Sequence, residues 1–165
     1  MSTTIVKDRR AEIMRAMRAL TKNDVYVGVP AENAAREEPG EKQPISNAAI
    51  GYINERGLPE RNIPPRPHLV PGVRAVEKEI AKRLKTAVQH AFRGDLAQID
   101  KAQNAVGLIA VNSVRKMIVD TLSPPLAPST LYHRKHRKEA PRDGEQPLLD
   151  TGGYLKSITY VIRKR

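Results

Sequence analysis

The chain has 165 residues with 29 Lys plus Arg against 18 Asp plus Glu, a formal charge of +11, long enough for one core-bearing domain spanning 1–165. With no Cys, disulfides, zinc ribbons and thiol chemistry are excluded. With no Trp, one Phe and five Tyr, the core has to be aliphatic and base stacking on single strands has little to work with.

Arg9, Arg10, Arg15 and Arg18 interleave with Ile13, Met14, Met17 and Leu20, and this spacing predicts a first helix over 8–20. Met1 to Arg10 has no apolar stretch of the kind a signal peptide needs. Val25, Val27 and Val29 alternate and predict a short strand, with Gly28 and Pro30 marking an edge or an early end. Residues 31–44 are polar and contain Pro39-Gly40, so they read as an exposed loop, flexible or ordered on assembly. Ser46 is placed to cap a helix over 47–56 that stops at Gly57, with Ala49, Ile50 and Ile53 inward. Ile63-Pro64-Pro65-Arg66-Pro67 is extended, because proline forbids helix there.

From 73 to 122 there is no Pro and Gly only at 94 and 107. Val73, Val76, Ile80, Leu84, Ala87, Val88 and Ala91 form one stripe of a helix over 72–93. Its other face carries Arg74, Lys78, Lys82, Arg83, Lys85 and Arg93. Gly94 ends it, and Asp95 is placed to cap a second long helix over 96–122. Ala105 to Val111 is apolar on every side, too short for a bilayer, and therefore expected to be buried all round or pressed between subunits. Ser123-Pro124-Pro125 closes that helix. Residues 132–146 are polar and basic and read as a second loop, flexible or ordered on assembly. Ser157 to Ile162 alternates as a terminal strand. The order predicts an α+β domain in which a small, mostly antiparallel sheet packs against long α-helices, with extended polar loops.

Three features invite a chemical reading. Asp150-Thr151-Gly152 matches the aspartic-protease triplet, but that chemistry needs two carboxylates sharing a proton on a β-rich scaffold. Here helices precede the triplet and only thirteen residues follow it. A structural turn is expected instead, with Asp150 capping and Thr151 and Gly152 bending the chain. His68, His90, His133 and His136 have no Cys or well-placed carboxylate to complete a metal set, so no metal and no cofactor is expected. Tyr132 to Lys138 holds Arg134, Lys135, Arg137 and Lys138, a candidate contact for DNA phosphates or for an acidic partner; the bland alternative is a solvated loop.

Asn47 to Gly57 followed by Ile63-Pro64-Pro65-Arg66-Pro67 resembles the helix-then-"IPARP" stretch of phage tail-component proteins. Pro147 to Ile158 resembles their C-terminal "PLIDTG-x-L-x-x-SI" signature. Leu126-Ala127-Pro128-Ser129-Thr130 is similar to the "L-S-P-x-T" linker shared with virion-morphogenesis proteins of Mu-like phages. The three lie in order across about 25–162. Two departures are a slightly longer 56–62 segment and the basic insert at 132–146. The resemblance implies a non-enzymatic structural virion protein of the neck or tail of long-tailed phages, made in the host cytoplasm. It also implies a homo-oligomer, a six-fold ring between the head-side connector (head-closure) protein and the tail terminator or tail tube, with no cofactor and no membrane. Non-specific contact with double-stranded DNA fits the charge. The competing expectation, from charge alone, is a basic helical DNA-binding protein, for which no helix-turn-helix or basic-zipper pattern is visible.

Overall fold

The computed structural model describes residues 8–35, 45–120 and 124–165. Its described residues form an α+β fold: α1 (Arg10–Leu20), β1 (Asn23–Gly28), α2 (Asn47–Arg56), α3 (Leu69–Ala75), α4 (Glu77–Ala91), α5 (Ala97–Asp120), α6 (Pro128–His136), α7 (Gly153–Ser157) and β2 (Thr159–Lys164). Near the two ends of the chain, β1 and β2 pair antiparallel, with Val25 opposite Ile162 and Val27 opposite Tyr160. In this register those four residues share one sheet face. The sheet packs on α5, the spine that also carries α3 and α4.

The main core gathers Val111, Val114 and Ile118 of α5 with Tyr154 and Ile158, and Val27, Ile50, Leu69, Val73 and Leu148 pack around them. A smaller cluster joins Ala16 of α1 to Ala91 and Ile99. Close approach sets the geometry at two glycines. A Cβ on Gly72 would lie 2.8 Å from the Val114 Cα, so α3 and α5 touch backbone to backbone. A Cβ on Gly107 would lie 2.5 Å from Cγ of Tyr160, whose ring lies against the α5 backbone there.

Ser46 caps α2 as its sequence requires, accepting the Ala49 N–H at 3.2 Å, and Gly57 ends the helix with φ 79°. The long helix expected over 72–93 is instead two. The first begins earlier, at Leu69, because a carboxylate far back in sequence caps it, and Pro71 is tolerated in its first turn, where an N–H has no intrahelical partner. It stops at Val76, whose φ of −111° and ψ of 10° leave the helical region before α4 starts at Glu77. Val76 lies in register with the apolar stripe, so nothing in the pattern marks the break.

Two more expectations are corrected. In α1 the buried residue is Ala16, and Ile13, Met14 and Met17 stay 40–50% exposed. The small face packs inward and the bulky one is left open. In α5 the run 105–111 is not buried all round: Val106, Gly107, Ala110 and Val111 are buried, but Leu108 is 53% exposed. The expected end of that helix at Leu122, with Ser123, lies outside the described residues, as does most of the 31–44 loop.

Candidate functional site

The densest polar organisation lies where the segments before α3 and before α7 meet. Glu55, near the end of α2, accepts three backbone N–H bonds, from His68 (2.7 Å), Leu69 (2.8 Å) and Val70 (3.0 Å). These are orphan donors of the α3 N-terminus, where negative charge is favoured. Burial raises the Glu55 pKa, but the three N–H bonds outweigh it and hold the carboxyl below its ordinary range.

His68 is wholly buried. Its Nδ1 lies 2.8 Å from the Arg66 carbonyl, which can only accept, so Nδ1 carries the proton. Nε2 then accepts from the Tyr154 hydroxyl at 2.5 Å. Burial lowers the His68 pKa, against the Arg66 carbonyl and the Glu55 carboxylate 3.4 Å away, and raises that of Tyr154, so both stay neutral. Gly51 makes room for this pair, since a Cβ there would meet the Tyr154 hydroxyl at 2.8 Å.

Arg66, the arginine between prolines 65 and 67, is 6% exposed. Its Nε donates to the Pro124 carbonyl at 2.7 Å and its Nη2 to the Pro125 carbonyl at 2.9 Å. Its own N–H donates to the Asn54 carbonyl. One guanidinium thus clamps the linker after α5 to the extended segment after α2. Burial lowers its pKa, although an arginine stays charged.

The basic tract does not stand as a loop over its whole length. Residues 132–136 are the last turns of α6, and its four cations divide into two kinds. Arg137 binds both oxygens of Asp150, at 2.8 and 2.9 Å, with both side chains 27% exposed. Arg134 has an 11% exposed side chain and donates from Nη1 to the carbonyls of Gly144 (3.1 Å) and Gln146 (3.0 Å). Lys135 is exposed, with Asp143 at 3.3 Å, and Lys138 is exposed.

Asp150 is therefore not the expected cap. The residue flanking α7 is Gly152, with φ 76°, and the Gly153 N–H donates to the Thr151 Oγ1 at 3.3 Å. Thr151 and Gly152 make the turn, and Asp150 holds the basic segment against it. Beyond its cap position, an Asp placed thirteen residues after Arg137 carries no local signature of such a pair. Glu55, His68 and Tyr154 were likewise missed, because their partners are distant in sequence.

These pieces border one cleft of about 240 Å³ with Asn54, Arg66, Arg134, Asp150, Thr151 and Tyr154 among its walls. All three segments that carry the family resemblance thus contribute to one place. Among the described residues no cluster of three or more His, Asp or Glu is arranged to hold a metal ion, and no helix is long and apolar enough to cross a membrane. Compared with protein-family models, curated proteins and solved structures, the chain matches none.

Proposed function

We propose that this chain is a structural protein of the neck or tail of a long-tailed phage, a subunit of a homo-oligomeric ring that joins the head-side connector to the tail. The observation that carries this reading is the meeting of the three resembling segments. Residues 47–67, 126–130 and 147–158 are far apart in sequence, yet Asn54 and Arg66 of the first, Leu126 of the second and Pro147 and Tyr154 of the third line one cleft. Motifs that matched only by chance would have no reason to converge.

The surface supports an assembling protein. A ring closes through heterologous contacts, in which each subunit offers two different patches. Ile13, Met14 and Met17 on α1 form one uncovered apolar set. Leu108 and Val119, eleven residues apart on α5 and so on one helical face, form another. The exposed lysines of α4 and of the basic tract suit sequence-blind contact with double-stranded DNA passing the ring or with an acidic face of a neighbouring ring.

Size-exclusion chromatography with light scattering over a range of concentrations, followed by negative-stain microscopy, tests the reading. Six copies of an 18.4 kDa chain give a ring of about 110 kDa. A ring, or a monomer that forms one on a connector or tail tube, supports the proposal. Antibody labelling at the head–tail junction of particles would place it there. A compact dimer that binds duplex DNA tightly and forms no ring favours a basic DNA-binding protein instead.

A further inference from the structure

The cleft bordered by Arg66 and Arg134 has a charge imbalance that its structural role does not explain. Arg66 is 6% exposed, and both of its side-chain hydrogen bonds go to neutral carbonyls. Among the described residues no carboxylate forms an ion pair with it. Arg134 is also largely buried, and both of its hydrogen bonds also go to carbonyls. Its nearest carboxylate oxygen, on Asp150, is 4.0 Å from Nε, and both Asp150 oxygens are already held by Arg137. The remaining carboxylate in this region, Glu55, is committed to three backbone N–H groups. Two guanidinium groups therefore line one cleft in which Asp150, shared between Arg134 and Arg137, is the one carboxylate in the wall. Arg66 thus has no counter-ion among the described residues and Arg134 only part of one, an arrangement in which buried charge is costly.

We propose that this cleft is an oxyanion-binding site, taking a phosphate or a carboxylate group between Arg66 and Arg134. Guanidinium is the side chain whose planar fork matches such groups in geometry. Each arginine has spent only part of its five donors, since Arg66 uses Nε and Nη2 and Arg134 uses Nη1. The Thr151 hydroxyl, whose oxygen accepts the Gly153 N–H, has its proton free to turn toward the same space. The volume, about 240 Å³, admits a small group and not a nucleotide. A bound anion would also fasten three chain segments together, because Arg66 holds the 124–125 linker and Arg134 holds residues 144–146.

The test is the thermal unfolding midpoint of the full chain titrated with inorganic phosphate, with acetate, and with sodium chloride at matched ionic strength. Phosphate is expected to raise the midpoint saturably and beyond the chloride effect. Arg134→Gln should raise the half-saturating phosphate concentration roughly tenfold or more, the fold-change expected for lost bonds to a charged group. Arg83→Gln removes the same charge from an exposed position on α4, so it should leave the titration unchanged. Should Arg134→Gln fail to fold, Arg134→Lys keeps the charge and loses the fork, and it too should weaken phosphate binding. Saturation by acetate at similar concentration identifies a carboxylate group as the occupant, and a response to phosphate alone identifies a phosphate. A midpoint that follows ionic strength whatever the anion, or equal effects of Arg134→Gln and Arg83→Gln, overturns the proposal.

Discussion

Asp150→Asn separates two physical roles for one residue. If Asp150 capped a helix or turn, Asn would serve almost as well, since the two rank together as caps. The structure gives it a different task. Arg137 donates to its two oxygens at 2.8 and 2.9 Å, and both side chains are about one-quarter exposed. In Asn one of those oxygens becomes an NH₂, which points donors at the guanidinium, and the surviving oxygen accepts a weaker, uncharged bond. Arg134 also loses the nearest carboxylate. Removing one partner of a fully buried pair costs about 3–5 kcal/mol and an exposed pair is worth about 0–1. At this partial burial a loss of about 2 kcal/mol is expected. Urea denaturation should show the midpoint falling by roughly 1 M with the slope unchanged. A double-mutant cycle with Arg137→Gln should return most of that loss as coupling. Asp150→Asn within about 0.5 kcal/mol of the parent, with Asp150→Ala lower by about 1 kcal/mol, would refute the ion-pair role and restore the cap.

Gly107→Ala sets a helix-propensity gain of about 1 kcal/mol against overpacking of about 1–3 kcal/mol. The Tyr160 ring at 2.5 Å, with its hydroxyl bonded to Asn104, should make overpacking win, seen as a lower urea midpoint. Leu108→Lys should fold within about 0.5 kcal/mol of the parent because Leu108 is half exposed, and any defect should appear only in the oligomer distribution by light scattering. For pH, His68 has a folded pKa depressed by burial, so the unfolded chain binds the proton that the folded chain refuses. Stability is then full above the unfolded value near 6.5 and falls as pH drops below it. Glu55, also depressed when folded, acts in the same direction below about 4.5. Denaturation midpoints measured from about pH 7.5 to 5.5 should decline, and His68→Gln should flatten that slope.

Elements whose cause is local were legible. The Ser46 cap, the Gly57 stop and the extended prolines each follow from residues within one turn of the feature they set, whereas the terminal strand expected from Ser157 begins at Thr159, because Ser157 ends α7. Misreadings began where a distant group decided the outcome. The start of α3 at Leu69 depends on Glu55, and no reading of 69–75 alone supplies that carboxylate. The inward face of α1 depends on Ala91 and Ile99, which accept a small side chain and leave the Met face open. Leu108 lies in an apolar run, yet the two strands and α3 cover other sides of α5. The site was legible only as separate motifs. That they share a cleft follows from Arg66 and Tyr154 reaching across 58 and 86 residues.

A subset of the arginines of this chain is committed inside the fold, which bears on how much of its net charge of +11 faces outward. Loop-rich segments have no ladder to satisfy their carbonyls, and a buried unpaired carbonyl is costly. Arginine solves this here: Arg66 serves Pro124 and Pro125, Arg134 serves Gly144 and Gln146, Arg137 serves Ala140 and Arg115 serves Ile158. A planar fork with five donors can reach two acceptors at once, which a lysine ammonium on a flexible stem does poorly. Lys78, Lys82, Lys85, Lys135 and Lys138 by contrast remain exposed. A count of cations along 132–146 therefore overstates what that segment offers to a polyanion. Half of its core tract is turned to holding the chain together, and the outward charge lies as much on α4. A polyanionic face brought against these surfaces would meet Lys78, Lys82, Arg83 and Lys85 on α4 and Lys135, Lys138 and Arg142 in the basic segment. Arg66, Arg134 and Arg137 instead turn their planar forks to carbonyls and a carboxylate of the chain itself, where the geometry of the fork is used to hold loop to loop.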